Sequence, residues 1–289
     1  MMKYNLKENI IHGTDKYPFA IYKVDFGECN QQILPCHWHD ELEIIYINRG
    51  NATFRINDVN YEVHQGQALV INSGELHWAY TQNQSGCSYF AIVFNTCFLE
   101  LPSRDISQRN YINPFCFNEY NLNSLIDGES TPSKELLGIV KKIIDKNNSM
   151  SAGYELATKA YLLLFLSLHI ENKLLTPVTL STVTKKNTQR IKNVLSYIDM
   201  NYTQKITVED LAQVINVSKY HFCRLFKTYT GLSPIEYINM IRINKAEELL
   251  RTSDCTITET AFEVGFENLS YFTRQFKRYK GILPSKISL

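Results

Sequence analysis

Three stretches of this 289-residue chain hold side chains whose types and spacing can do chemistry. In residues 218–231, Lys219, Tyr220, Cys223, Arg224 and Lys227 lie opposite an apolar stripe of Phe222, Leu225, Phe226 and Tyr229. That i, i+3, i+4, i+7 spacing is the buried face of a helix. In residues 268–281, Asn268, Leu269, Ser270, Tyr271, Thr273, Arg274, Lys277 and Arg278 surround a stripe of Phe272, Phe276 and Tyr279. A guanidinium can grip a guanine edge with two hydrogen bonds, a hydroxyl can read a base edge, and an ammonium neutralises a phosphate. One basic face alone is equally well explained as a solvated surface. Two matching faces point to nucleic acid. The third stretch is His37-Trp38-His39-Asp40-Glu41-Leu42-Glu43. Side chains alternate along a strand, so His37, His39, Glu41 and Glu43 are expected to share one face.

The elements that must position the two basic faces form a repeat. Phe222, Phe226, Lys227, Tyr229, Gly231 and Pro234 recur 50 positions later as Phe272, Phe276, Lys277, Tyr279, Gly281 and Pro284. Ala212 recurs only 49 positions later, as Ala261, so the second copy carries one extra turn residue. Each copy reads as helix, turn, helix. Thr207 with Asp210, and Thr256 with Glu259, have the spacing of a capping box at the first helix. The second, basic-faced helix fits the major groove when its partner crosses behind it. Ser233-Pro234-Ile235-Glu236 starts a long helix expected to run to about Thr252. It holds the motifs at a fixed separation; at one DNA turn, roughly 34 Å, one monomer reads two adjacent major-groove segments.

From about Arg190 to Leu289 the chain resembles the DNA-binding domain of the AraC/XylS family of transcription regulators. The residues that carry the likeness are EDLAQVINVSKYHFCRLFKTYTGLSPIEYINMIRINKAEELL and ETAFEVGFENLSYFTRQFKRYKGILPSK. The resemblance implies base-contacting positions at Tyr220, Cys223 and Arg224 in the first recognition helix. In the second it implies Leu269, Ser270, Tyr271, Thr273 and Arg274. Cys223 and Leu269 depart from the usual polar readers and suit a thymine methyl. Lys219, Lys227, Asn268 and Lys277 complete the expected DNA-binding set. The resemblance further implies promoter DNA, RNA polymerase and a small-molecule effector as partners, a homodimer, and activation as the usual role.

The first half is built differently. ELEIIYI, ATFRI, YEVH, QALVI and CSYFAIVF are short β-rich runs parted by turn signals at Arg49-Gly50-Asn51, Asn57-Asp58 and Gln65-Gly66. Such spacing suggests a small sandwich or barrel. Within it, His37-x-His39-x3-Glu43 with Gly50, then Gly66 to Gly74 and His77, resemble the two cupin motifs. Asn72 stands where proline is usual, and Gln31 where a glycine is usual. In metal-binding cupins the corresponding residues, here His37, His39, Glu43 and His77, hold a divalent ion, and such ligands suit Zn, Mn, Fe or Ni. The other reading is a hydrogen-bonded pocket for a small organic effector, lined by His37, His39, Glu43, His64, His77 and Tyr80. A sugar or sugar derivative is the effector class the family suggests, and no cofactor is required. A metal-dependent cupin enzyme fused to a DNA-binding domain is the alternative to a regulator without catalysis.

The expected architecture is therefore two-domain: a mainly β, cupin-like barrel followed by α-helices, then an all-α tandem helix-turn-helix domain. The boundaries read as a barrel over 1–125, a helical segment over 126–175 and a linker over 176–188. The DNA-binding domain then spans 189–289. Lys134 to Lys146 and Tyr154 to Asn172 are the candidate helices, and the second, apolar one is either a dimer element or packed on the barrel. From residue 188 onward there are 14 Lys+Arg against 10 Asp+Glu, a balance of +4; the remainder of the totals, 16 against 19, gives −3. The positive charge thus lies with the repeat. Seven cysteines without a CxxC pair fit reduced thiols. The start MMKYNLKENI lacks the apolar core of a signal peptide, and the apolar run at 161–170 is short of the ~20 residues that span a bilayer. A cytoplasmic protein without a membrane partner is the expectation.

Overall fold

The computed structural model describes residues 7, 11–27, 31–81, 86–101, 105–178, 182–253 and 255–287. The chain divides into two compact units, chiefly Asn9–Thr184 and Lys185–Leu289.

The first unit contains β1 (Phe19–Phe26), β2 (Gln31–His37), β3 (Leu42–Arg49), β4 (Asn51–Ile56), β5 (Val59–His64), β6 (Ala68–Ile71), β7 (His77–Thr81) and β8 (Cys87–Phe94). Shorter strands β9 (Tyr120–Leu122), β10 (Leu125–Ile126) and β11 (Leu175–Pro177) follow. An antiparallel five-stranded sheet runs β1-β8-β3-β6-β10, and a four-stranded one β2-β7-β4-β5. Alternation decides what each face meets. Ile45, Ile47, Leu69, Ile71 and Tyr89 pack between the sheets against Leu34, Phe54, Val63 and Ala79. Leu42, Ile44, Val70, Ile92 and Phe94 turn the other way, onto Leu136, Val140, Ile143, Leu162 and Phe165. Those last residues belong to helices α2 (Thr131–Ser149) and α3 (Tyr154–Glu171), which follow the short α1 (Asn113–Cys116). Strands β3 and β6 are apolar without alternation because both their faces are covered. Strand β4, with one covered face, alternates.

The stretch 176–188, expected as a linker, is ordered at both ends. Leu175–Pro177 pairs with β9, and α4 (Thr182–Asn201) begins at Thr182. Ile191, Val194, Leu195 and Ile198 form a buried i, i+3, i+4, i+7 stripe, and that packing carries the polar first turns of α4 into helix. Residues 179–181 of that stretch lie outside the described residues.

The second unit continues with α5 (Val208–Val214), α6 (Lys219–Thr230), α7 (Pro234–Thr252), α8 (Ile257–Glu263) and α9 (Leu269–Lys280). Helix α8 repeats α5 at an offset of 49, and α9 repeats α6 at 50. The extra residue sits in the second turn. There Gly265, at φ 90°, takes the left-handed place that Asn216 holds at φ 52° in the first copy. Gly265 also presses on the preceding segment, since a Cβ there would stand 2.6 Å from the Thr203 carbonyl oxygen. Capping boxes close at Thr207–Asp210, Ser233–Glu236 and Thr256–Glu259. Phe222 and Phe226 seat the first motif, with Phe226 edge-on to Tyr237 of α7 at 5.5 Å. Phe272 and Phe276 seat the second against Ile243, Ala246 and Phe266.

Candidate nucleic-acid interface and effector site

Both recognition helices bury one face and expose the other, because their Phe pairs fill the core of each motif. On α6, Lys219, Tyr220, Arg224 and Lys227 are exposed, and Cys223 is half-buried. Tyr220 is 79% exposed, so its ring projects from the outer face. Lys219 pairs with Glu209 of α5. On α9, Leu269, Ser270, Arg274 and Lys277 are exposed, as is Asn268 at the helix start. The Asn268 carboxamide oxygen accepts the Tyr271 N–H at 2.8 Å, so its cap function is part of the helix itself. Tyr271 and Thr273 are half-buried. The Thr273 hydroxyl donates to the Leu269 carbonyl at 2.9 Å. The Tyr271 hydroxyl accepts from Asn239 Nδ2 of α7 at 2.8 Å, and the Arg274 guanidinium lies 5.3 Å from the Tyr271 ring centre. Tyr271 is thus a prop under Arg274 more than a projecting reader. Arg278 and Lys280 are tied back to α7 through Glu236, and through Asn244 and Glu247.

The histidine cluster forms between the two sheets, but not as one strand face. Strand β2 ends at His37 and β3 begins at Leu42, so His39 and Glu41 lie in the connection. His37 pairs across the strands with His77 of β7, while Glu43 enters from β3 of the other sheet. Ring centres are 4.1 Å apart for His37–His77 and 5.1 Å for His39–His77. Glu43 Oε2 lies 3.4 Å from His39 Nε2 and 3.1 Å from His77 Nε2. Each ring also sets its Nδ1 on a backbone carbonyl: His37 on Pro35 at 2.8 Å, His39 on Glu41 at 3.1 Å, His77 on Glu75 at 2.9 Å. A neutral imidazole has one N–H. Spent on the carbonyl, it leaves the Nε2 lone pair facing inward, toward a buried carboxylate. Protons on the rings or a cation among them relieve that opposition. Burial alone would raise the Glu43 carboxyl, but hydrogen bonds with His39 and His77 hold it well below the usual carboxylate range. Burial, then His77, holds His37 well below the ordinary imidazole value.

The four ligand atoms of His37, His39, Glu43 and His77 all lie within 4.8 Å of one another. Metal-bound histidines commonly donate the second ring N–H to a carbonyl, which fixes tautomer and orientation. The donor set and its outer hydrogen bonds therefore fit a divalent ion.

An AraC-like ligand binding domain model matches residues 26–166, and a helix-turn-helix domain model matches residues 211–288. The HTH-type transcriptional regulator YdeC of Bacillus subtilis (strain 168) is 32% identical over 283 residues, 97% of this chain and 94% of that protein. The chain belongs to the AraC/XylS family. It is a DNA-binding transcription regulator with an N-terminal ligand-binding domain. The HTH-type transcriptional activator RhaS of Escherichia fergusonii is 25% identical over 282 residues, 96% of each protein. The structure of ToxT from Vibrio cholerae aligns at a TM-score of 0.41 with 16% identity, over 93% of this chain and 97% of that one.

Within this family member, two residues expected in the pocket lie elsewhere. His64 is exposed beside Glu62, because Val63 is the residue of β5 that turns inward. Tyr80 stacks on Trp78 on the outer face of β7, since His77, Ala79 and Thr81 take the inner one. In exchange the structure adds His12, which is buried, with its ring 5.8 Å from His39 and its Nδ1 3.1 Å from the Tyr22 hydroxyl. His12 stands in an aperiodic stretch before β1, so no sequence signal marked it. Asn72, in place of the usual proline, clamps β9. Its carboxamide accepts the Leu122 N–H at 2.8 Å and donates to the Leu122 carbonyl at 3.2 Å. Its own N–H donates to Glu75 at 2.9 Å, a bond proline could not make. No helix among the described residues is long and apolar enough to cross a membrane.

Proposed function

We propose that this regulator activates transcription when a small molecule, a sugar or sugar derivative, binds in the barrel beside His37, His39, Glu43 and His77. Arg224 with Tyr220 and Cys223 reads one DNA segment. Arg274 with Leu269, Ser270 and Thr273 reads the next, while Lys219, Lys227 and Lys277 meet phosphates. The observation that carries the reading is the duplicated helix pair with an exposed arginine at the same place on each outer face, Arg224 and Arg274. Activation draws support from the name of RhaS. Effector binding must favour one conformation to change promoter occupancy. Gel shifts on promoter fragments that the wild type binds test the reading heads. Arg224→Ala and Arg274→Ala should each lose sequence-specific binding, and retention of specificity in both would overturn the assignment.

Helix α3 is the proposed homodimer element. Its middle turns are apolar, and Leu156, Ala160 and Leu164, with Ser167, form an exposed stripe at helical spacing. The four-ligand cluster would hold a divalent cation that helps seat the effector, through an open coordination position for an oxygen ligand. The barrel then senses and does not catalyse, in keeping with relatives that are transcription regulators. Metal analysis of the purified protein decides this part. The wild type should take up one more equivalent of metal than His77→Ala; equal uptake by the two refutes it.

A further inference from the structure

A second cluster of ligating side chains lies outside both sites. A 3-10 turn at Thr96–Leu99 carries Cys97, and Glu100 caps its end with its N–H on the Cys97 carbonyl. The turn is pinned by Asn95, whose side chain accepts the Cys97 N–H at 2.9 Å. Cys116, the last residue of α1, approaches from the other side and donates its thiol to the Thr96 carbonyl at 3.3 Å. The ligand atoms of Cys97, Glu100 and Cys116 all lie within 4.8 Å of one another. Two sulfurs and a carboxylate oxygen at that spacing match three corners of a tetrahedral site.

We propose that Cys97, Glu100 and Cys116 bind a thiophilic divalent cation of the zinc class, with water or an incoming ligand in the fourth position. Binding releases the two thiol protons to solvent and leaves two thiolates and one carboxylate on the ion. The exposed Cys97 gives the ion an entry path. The cation would staple the 3-10 turn to α1. Residues flanking those two elements, Leu101, Tyr111 and Ile112, line a groove of ≈ 610 Å³ against Leu163, Leu166 and Ile170 of α3. The Glu100 carboxylate beside both thiols disfavours the other use of a thiol pair, disulfide exchange, because reactive thiolates sit in electropositive surroundings.

Cobalt(II) titration of the full-length, reduced, metal-stripped protein tests the proposal. Thiolate-to-cobalt charge transfer is a sulfur signature, so a cation in the histidine cluster does not produce it. The wild type and His77→Ala should both develop this band at one equivalent of sulfur-bound cobalt. Cys97→Ser and Cys116→Ser should lose it, and Glu100→Gln should weaken uptake at least about 10-fold, a loss that even outer-shell changes can cause. Cys223→Ser and Cys255→Ser should leave it unchanged. Metal-free melting curves of the serine variants should overlay the wild type, which separates lost ligation from misfolding. No band in the wild type, or a band that survives in the Cys97→Ser, Cys116→Ser double variant, overturns the assignment. So does a Cys97–Cys116 disulfide found by mass in place of cobalt uptake.

Discussion

At the scale of single residues, Asn239 shows how a recognition face is supported from beneath. It is buried on α7 and donates to the Tyr271 hydroxyl, on whose ring Arg274 rests. A net hydrogen bond of this kind is worth about 1 kcal/mol, so Asn239→Ala should weaken specific DNA binding about 5-fold. Tyr271→Phe should do the same, and the double variant should be little worse than either, as members of one network are. Fluorescence titration of the operator checks this; additive losses would show that Tyr271 touches DNA by its own hydroxyl. The sequence places Tyr271 off the apolar stripe, and the family resemblance implies a base contact for it. It could not show Asn239 arriving from 32 residues away. The same blindness to distant partners left His12 unseen and placed Tyr80 in the pocket: residue types are visible in a sequence, while the faces they share are decided by pairing.

At the scale of elements, the repeat was legible because buried Phe pairs and glycine stops recur at fixed offsets. The barrel strands β1, β2 and β7 were not, since they mix polar and apolar residues and β2 pairs irregularly with β7. One element depends on a glycine for two reasons at once. Gly265→Ala would be strained at φ 90° and would meet the Thr203 carbonyl oxygen. It should cost more than about 1 kcal/mol of stability in the second unit. Asn216→Gly, at the matching turn with open left-handed geometry, should be near neutral. Denaturant melts of the two variants distinguish these outcomes. On α3, burial holds the His169 ring below its ordinary value, against a smaller opposing effect of its bond to the Phe165 carbonyl. The unfolded chain therefore takes the proton first. Stability from the neutral ring is whole above an unfolded value of about 6.5 and is lost as pH falls below it toward the depressed folded value. His12, shifted the same way, adds to the trend. Melts at pH 7 and pH 5 should differ for the wild type, and the gap should narrow in His169→Leu.

At the scale of the DNA-binding unit, the spacing of the two motifs and the difference between their faces combine into a statement about the operator. Helix α7 has 19 residues, roughly 28 Å of rise at about 1.5 Å per residue, comparable with the ~34 Å of one DNA turn. It packs on both recognition helices and is bonded to α9 through Glu236, Asn239, Asn244 and Glu247. On the proposed reading, these contacts hold the separation fixed, and one monomer should meet two successive major-groove segments on one side of the duplex. The buried halves of the motifs match, but the outer halves do not. Tyr220, Cys223 and Arg224 stand where the second copy has Ser270, Thr273 and Arg274. Only the arginine is shared, so the segments should have one base in common and differ around it. Exchanging the two segments within the site keeps composition, length and spacing, yet gives each helix the wrong sequence. Each mismatched pair costs about 1–3 kcal/mol, so binding should fall at least about 10-fold. Inserting half a turn between the segments should fall as far, because the rigid unit cannot follow the second segment to the opposite side. If the exchanged site binds as tightly as the original, the two motifs read the same sequence, and the outer-face residues that differ do not set specificity.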